Sequence, residues 1–503
     1  MPSSPDKENH RSPDNPQAYE QPDTARPASG APTEPMLEHE SPAARADQRV
    51  HDPYAALRLP NFRFYLLGWL ASFIGQQMLA TAIDWEVYQR AAQSGRIDPR
   101  LAVGLVGGVL ALPVLFLSLP AGQLADRFNR RKIMMVSQVL SGIMAAGMAW
   151  WSYSNGPLGV MYGLLFGYAV STAMGWPARA ALLPSIVPEE AFSNAATWVS
   201  SMFQVAAMAG PALGGLVLIK AAWWAYAIDA VCALVFVGFL MLLHERPSTR
   251  PRQPASLQSL IAGVKFVWRV KLILATITMD LFAVLLGGAT ALLPAYVHIL
   301  GVGKVGFGWL RAAPAVGALL MAMILAHRPP MKHSGRNLLW AVAGFGVATI
   351  VFGVSRSFVL SLVMLFLTGA FDNVSVVVRH TLVQMLTPES MRGRVSAVNN
   401  IFIGASNELG AMESGVTARL IGTVRSVVFG GIGTLVVVVT VNVLWPQVRR
   451  FGSLADARPV ESDEPAGPVL KVAGPTQPCS YSRGPKGATG RVDAFSRRVR
   501  RYA

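Results

Sequence analysis

The chain has 503 residues, 52% hydrophobic and only 14% charged, with a mean hydropathy of +0.39; soluble domains carry about a quarter charged residues, so a soluble single-domain enzyme is excluded. The formal net charge of +16 divides into −4 over residues 1–60, +6 over 449–503 and +14 between them. In that middle stretch Lys and Arg gather in alternate short loops, the pattern that orients a membrane protein and not a groove for nucleic acid. Cys232 sits in an apolar run and Cys479 in the tail, so no disulfide is expected.

Residues 1–57 are dominated by Pro, Ser, Asp and Glu and bury too little apolar surface to fold, which predicts a disordered cytoplasmic tail. No signal-peptide pattern appears there, and Met36 is an alternative start of translation. From Phe62 twelve apolar runs follow, at 62–88, 101–121, 132–153, 157–177, 194–219, 221–243, 271–298, 305–326, 337–355, 358–378, 395–419 and 426–447. Runs of this length, at about 1.5 Å per residue, cross a hydrocarbon core of about 30 Å. The expected fold is therefore an all-α polytopic membrane protein with twelve transmembrane helices.

About seventeen Lys and Arg fall in the loops after the even-numbered runs, among them Arg127, Lys132, Arg246, Arg250, Lys332, Arg392 and Arg394, against about seven in the opposite loops. Both termini are thus expected in the cytoplasm. Tyr153, Trp223 and Trp224 fall at the outer interface, where amphipathic rings are favoured, or in packing. The basic linker 244–270, with Pro247, Pro251 and Pro254, separates an expected six-helix bundle at 58–243 from a second at 271–450. Across it Arg179-Ala-Ala-Leu182 and Pro188-Glu189 match Arg379-His-Thr-Leu382 and Pro388-Glu389 at an offset of 200, continued by Gly210 and Gly410. Gly107 to Pro113 likewise answers Gly308 to Pro314. These matches imply parallel repeats. Residues 451–503 form an expected disordered basic tail, ending Arg497-Arg498-Val-Arg500-Arg501, which either touches anionic lipid or has no function.

The loop after the second run reads Gly122-Gln-Leu-Ala-Asp126-Arg127-Phe-Asn129-Arg130-Arg131-Lys132. A tight turn there predicts a positive φ at Asn129, with Asp126 accepting from a helix N-terminus and the arginines meeting carboxylates or lipid phosphates. The string resembles the signature loop of the major facilitator superfamily, with Asn129 in place of a glycine; the second-half loop keeps Gly335-Arg336 but lacks the aspartate. Gly210-Pro211-Ala-Leu-Gly214-Gly215 in the fifth run resembles an element of superfamily exporters and is equally a helix-packing motif. Leu57-Arg-Leu-Pro-Asn-Phe-Arg63, Gly287-Gly288-Ala-Thr-Ala-Leu-Leu-Pro294, Arg392-Gly-Arg394 and Asn407-Glu408-Leu-Gly410 resemble the branch that includes the enterobactin exporter. The resemblance implies a transporter whose Gly122–Lys132 loop gates the cytoplasmic side, with no cofactor, acting as a monomer.

Seven acids lie within apolar runs: Asp84, Glu86, Asp229, Asp280, Asp372, Glu408 and Glu413. Each costs about 2.5–3.5 kcal/mol at a helix centre, so none is expected to face lipid. Glu86 and Asp229 lie near run ends, where interfacial water is an alternative. Asp280, Asp372 with its neighbour Asn373, and Glu408 are the deeper candidates for proton or substrate handling. Apart from Arg419 near a span end, Arg311 is expected as the one basic residue well inside a span, able to pair with an acid or meet an anion. In the eleventh run Asn400, Gly404, Asn407, Glu408, Ala411 and Gly415 share one helical face, which lines a cavity or packs on another helix. Metal-ligand clusters, phosphate loops and nucleophile-base pairs are not seen in the sequence. The expected function is export of a small siderophore-like or drug-like molecule across a bacterial cytoplasmic membrane by alternating access with proton antiport. An importer, or a receptor or scaffold of the same fold, is the rival.

Overall fold

The computed structural model describes Asp52, 54–244, 257–329 and 331–452; the two tails, Arg246, Arg250 and Cys479 lie outside these residues. The helices are α1 Pro60–Ser94, α2 Pro99–Arg127, α3 Arg130–Tyr153, α4 Leu158–Ile186, α5 Glu189–Lys220, α6 Ala222–Leu242, α7 Leu257–Arg269, α8 Lys271–Leu286, α9 Leu293–Leu300, α10 Lys304–Ala326, α11 Ser334–Val354, α12 Phe358–Leu386, α13 Glu389–Ile421, α14 Thr423–Leu444 and α15 Pro446–Arg450. No strand occurs among the described residues. Eleven segments are long and apolar enough to cross a membrane, α8 and α9 counting as one. The twelfth, α13, has 33 residues but carries Asn399, Asn400, Asn407, Glu408 and Glu413. It packs mainly on α2, with α8 and α7 beside it.

Local chemistry sets the helix ends. Gly95 closes α1 at φ +61°, a left-handed position that glycine adopts without steric cost. Asp98 then caps α2, accepting from Arg100 N–H at 2.8 Å, with Pro99 at the first helical position. The turn at Asn129 differs from expectation: its φ is −62°, and its side chain caps α3 by accepting from Lys132 N–H at 3.0 Å. Because α2 continues to Arg127, the short link to α3 needs no left-handed residue.

Four further elements depart from the sequence reading. α4 runs to Ile186 and α12 to Leu386, well beyond 177 and 378, because helices packed against protein do not need an unbroken apolar face. The seventh run is broken: α8 stops at Leu286, Gly287 and Gly288 turn the chain into a 3-10 segment at Ala289–Leu292, and α9 resumes. A Cβ on Gly288 would come within 2.6 Å of the Gly410 carbonyl, so α13 approaches this break too closely for any side chain. Within the linker, 257–269 is helical; α7 buries Phe266 and Val267 in the second-half core and leaves Trp268 exposed.

Packing repeats between the halves. In the first, α1 packs on α5 and α6, α4 on α2 and α3, and α3 on α6; in the second, α8 packs on α13 and α14, α12 on α10 and α11, and α11 on α14. These pairs are equivalent span for span, as parallel repeats require. The halves meet through α2 on α13 and α5 on α10, again an equivalent pair. Both contacts bring glycine backbones together: a Cβ on Gly104 would lie 2.8 Å from Gly415 Cα, and one on Gly215 would lie 2.7 Å from Gly308 Cα. By helix direction these contacts lie at the far face, opposite the terminal face that carries Tyr54 and Gly452.

Candidate functional site

A cavity of about 320 Å³ occupies the half of the molecule nearer the terminal face, walled by α1 to α4, α6 and α13. Trp69, Gln138, Tyr168, Arg179, Asn400 and Glu408 are among its lining residues. The Arg179 guanidinium lies 4.5 Å over the Trp176 ring and 5.6 Å over that of Trp69. Gln138 donates to Ser72 Oγ at 2.7 Å, tying α3 to α1. A second, smaller cavity of about 240 Å³ lies among second-half helices at the α8–α9 break, with Asp372, Thr368 and Asn407 on its wall, and a wider, more open space of about 880 Å³ lies at the far face beside Glu86, Arg90 and Lys304; the first two are the larger and smaller of the interior cavities.

The polar face of α13 divides between these spaces. Asn400, Gly404 and Glu408 line the larger cavity, and Asn407 and Ala411 line the smaller. Gly415, one turn on, packs against Gly104 of α2. Cavity lining and helix packing thus occupy successive turns of one stripe. Asn407 also donates to the Ile403 carbonyl at 2.9 Å.

The acids fall into separate settings. Asp84 of α1 pairs with Arg311 of α10, an ion pair that links the two halves, and Glu408 lies within electrostatic reach of both. Asp280 of α8 pairs with Arg379 of α12, both buried, at 5% and 2% exposure. Glu86 and Asp229 are buried, although Glu86 also borders the far-face space: Glu86 accepts from Arg90, Ser152 and Tyr226, and Asp229 accepts from the Tyr168 hydroxyl at 3.1 Å. Glu413 accepts from Thr417 Oγ1 at 2.7 Å. Asn373 is buried, and among the described residues its Oδ1 has no partner. Arg311 is not alone inside the spans, because the extensions of α4 and α12 take in Arg179 and Arg379. The signal for both was the repeat itself, in which they are equivalent positions. Among the described residues no group of three or more His, Cys, Asp or Glu could hold a metal ion.

The family model of transmembrane secretion effectors matches residues 51–469. The chain belongs to this family of the major facilitator superfamily. It is 26% identical over 398 residues to the enterobactin exporter EntS of Escherichia coli O1:K1, covering 78% of this chain and 93% of the relative, and matches that of Shigella boydii serotype 18 equally. Among solved structures, an inward-facing, unoccupied bacterial homolog of the human lysosomal transporter Spinster aligns with a TM-score of 0.61 at 16% identity, covering 78% of this chain and 98% of that one. A D-xylose-proton symporter aligns with a TM-score of 0.57 at 13% identity, covering 75% and 97%. The fold is that of a twelve-helix major facilitator, and the protein is a multi-pass membrane protein.

The loop that resembles the superfamily signature sits at the terminal face. Gly122 and the exposed Arg127 belong to the end of α2; the Asp126 side chain lies outside the described residues. Buried Arg130 donates to the Ala181 carbonyl at 2.8 Å, and Arg131 to the Met241 carbonyl at 2.6 Å. Cations thereby meet carbonyls near the C-terminal ends of α4 and α6, where the helix dipole favours them. The Gly-Pro element of this superfamily member packs α5 between two helices. Gly210 lies against Ile74 and Gln77 of α1, Gly214 against Met78, and Gly215 with the Pro211 carbonyl against Gly308.

Proposed function

We propose that the protein is a secondary active exporter, acting as a monomer, that moves a small molecule out of a bacterial cytoplasm by alternating access in exchange for protons. One observation carries the alternating-access part of this reading: the cavity between the halves reaches from the half nearer the terminal face to Glu408, while toward the far face α2 meets α13 and α5 meets α10 through glycine backbones; the outward direction rests on the similarity to EntS. The basic loops support a cytoplasmic terminal face, as expected for both tails and the 244–270 linker, and in that orientation this state receives substrate from inside. In the alternate state the halves 58–243 and 271–450 rock apart at the far face, and the Gly122–Lys132 loop joins them at the cytoplasmic side. Similarity to EntS supports a siderophore-like or drug-like substrate.

Proton exchange centres on Glu408, Asp84 and Arg311. One guanidinium balances one carboxylate; with a second acid in reach, a proton completes the charge balance. Rocking alters the distance between α13 and the α1–α10 pair, so it changes which acid Arg311 serves and whether Glu408 holds its proton. Asp372, on the smaller cavity, is the second candidate.

The test uses purified protein in proteoliposomes, challenged with a panel of siderophores and drugs. At least one compound is expected to show counterflow and uphill movement driven by a pH gradient. Glu408→Gln is expected to lower the uphill rate at least ten-fold while retaining counterflow, since exchange needs no net proton movement. Unchanged uphill transport in that variant removes Glu408 from the coupling path; absence of counterflow across the panel overturns the exporter reading.

A further inference from the structure

Arg179 and Arg379 stand at equivalent positions of the repeat, seven residues before the ends of α4 at Ile186 and α12 at Leu386. Their electrostatic settings differ. Arg379 is sealed in the protein and neutralised by Asp280. Arg179 stands on the wall of the larger cavity, and among the described residues no carboxylate pairs with it. A cation kept within a membrane bundle without a partner is costly, and such residues mark ligand paths.

Two tryptophans fix this cation. Trp176 and Trp69 flank the guanidinium at 4.5 and 5.6 Å, contacts that hold it in place while its N–H groups keep their capacity for acceptors. Trp69 itself is buried, and among the described residues its Nε1 has no hydrogen-bond partner. The remaining lining is largely aromatic and apolar. Trp69 stacks on Phe73 at 5.6 Å, and Tyr168 and Phe236 also contribute. The wall therefore offers a charged donor beside flat rings, with Glu408 as the lining carboxylate.

We propose that Arg179 is the anion-binding group of the larger cavity, and that the transported molecule is an organic anion with a flat apolar body. The guanidinium binds a carboxylate or a comparable oxyanion through paired N–H donors, and the aromatic wall takes the apolar part. This assignment rests on reading the cavity as the substrate site of the exporter. Glu408 repels an anion when charged and not when protonated, so a ligand held at Arg179 favours the protonated form of Glu408 and links substrate to proton by charge.

The test measures binding and does not depend on transport. Full-length protein in phosphatidylcholine nanodiscs is titrated by equilibrium dialysis with 2-naphthoate, neutral 2-naphthamide and cationic 2-naphthylmethylammonium. The naphthoate is expected to bind at least ten-fold more tightly than either analogue. Arg179→Gln is expected to remove that preference while leaving naphthamide affinity within two-fold of the parent, which also reports an intact cavity. Arg179→Lys, which keeps the charge but not the planar fork, should weaken naphthoate at least three-fold and still prefer it to the amide. If the glutamine variant does not fold, the lysine variant decides. Equal binding of the three probes, no saturable naphthoate binding, or a preference that survives in Arg179→Gln each overturns the proposal. Anion-selective binding by a protein that shows no counterflow would overturn the exporter reading alone, and counterflow indifferent to Arg179→Gln would overturn this assignment alone.

Discussion

The buried carboxylates differ in what compensates them, and that difference separates structural from mobile charge. Asp280 has a guanidinium to itself, and the pair is closed off inside the second half. Removing one member of a buried ion pair strands the other and costs about 3–5 kcal/mol, whereas replacing both by apolar groups is close to neutral. Asp280→Asn is therefore expected to lower the unfolding temperature in detergent markedly, and Asp280→Leu with Arg379→Met to recover most of the loss, as followed by scanning fluorimetry. An unchanged unfolding temperature in Asp280→Asn would show that the pair does not hold the fold. Sequence alone identified Asp280 as deep but not its partner. Hydropathy ends the tenth run at 378, one residue before Arg379, because a cation neutralised inside protein looks the same in sequence as one standing in a loop. Arg179 was hidden for the same reason at the end of the fourth run. The repeat held both positions in view, but only packing separates a paired arginine from an unpaired one.

Spans are legible where lipid dictates composition and obscure where neighbouring protein does. Eleven segments meet the apolar criterion, while α13, packed on α2 and α8, can carry asparagines and glutamates because protein and cavity, not lipid, receive them. The break between α8 and α9 is signalled by Gly287-Gly288, but hydropathy runs straight through it. The close approach of Gly410 to that break is a tertiary fact. The far-face contacts give a sharper prediction at this scale. A Cβ on Gly215 would sit 2.7 Å from Gly308 Cα, and the obstructing atom is backbone that cannot rotate aside. Gly215→Ala, and likewise Gly104→Ala against Gly415, is expected to push the far face open and shift the population toward the alternate state. Spin labels at positions 96 and 303 should report a longer mean distance in each variant by double electron–electron resonance. Distances equal to the parent's would show that these glycines do not limit closure.

Across the whole molecule the side to which this state opens follows from which face meets the cytoplasm, and the distribution of charge bears on that face. Lys and Arg near span ends resist translocation, so loops rich in them stay inside. In this chain those cations share the terminal face: Arg127 at the end of α2, Arg130, Arg131 and Lys132 in the first turn of α3, Lys332 before α11, and Arg392 and Arg394 in the first turns of α13. The far face has fewer cations, and one of them, Arg90, is bound to Glu86, Ser152 and Gly156. It also carries the stacked pair Trp223 and Trp224, 4.1 Å apart, with Tyr153 edge-on at 6.0 Å, an aromatic group suited to the interface. Because the fold fixes every span relative to the others, one labelled position on each face decides the orientation of all twelve. With Cys232 and Cys479 replaced by serine, an impermeant maleimide applied to intact cells is expected to modify a cysteine at 95, in the α1–α2 turn, and not one at 255, in the linker. Permeabilised cells should label both, which controls for reactivity. The reverse pattern would turn the larger cavity toward the outside and make this the outward-facing state.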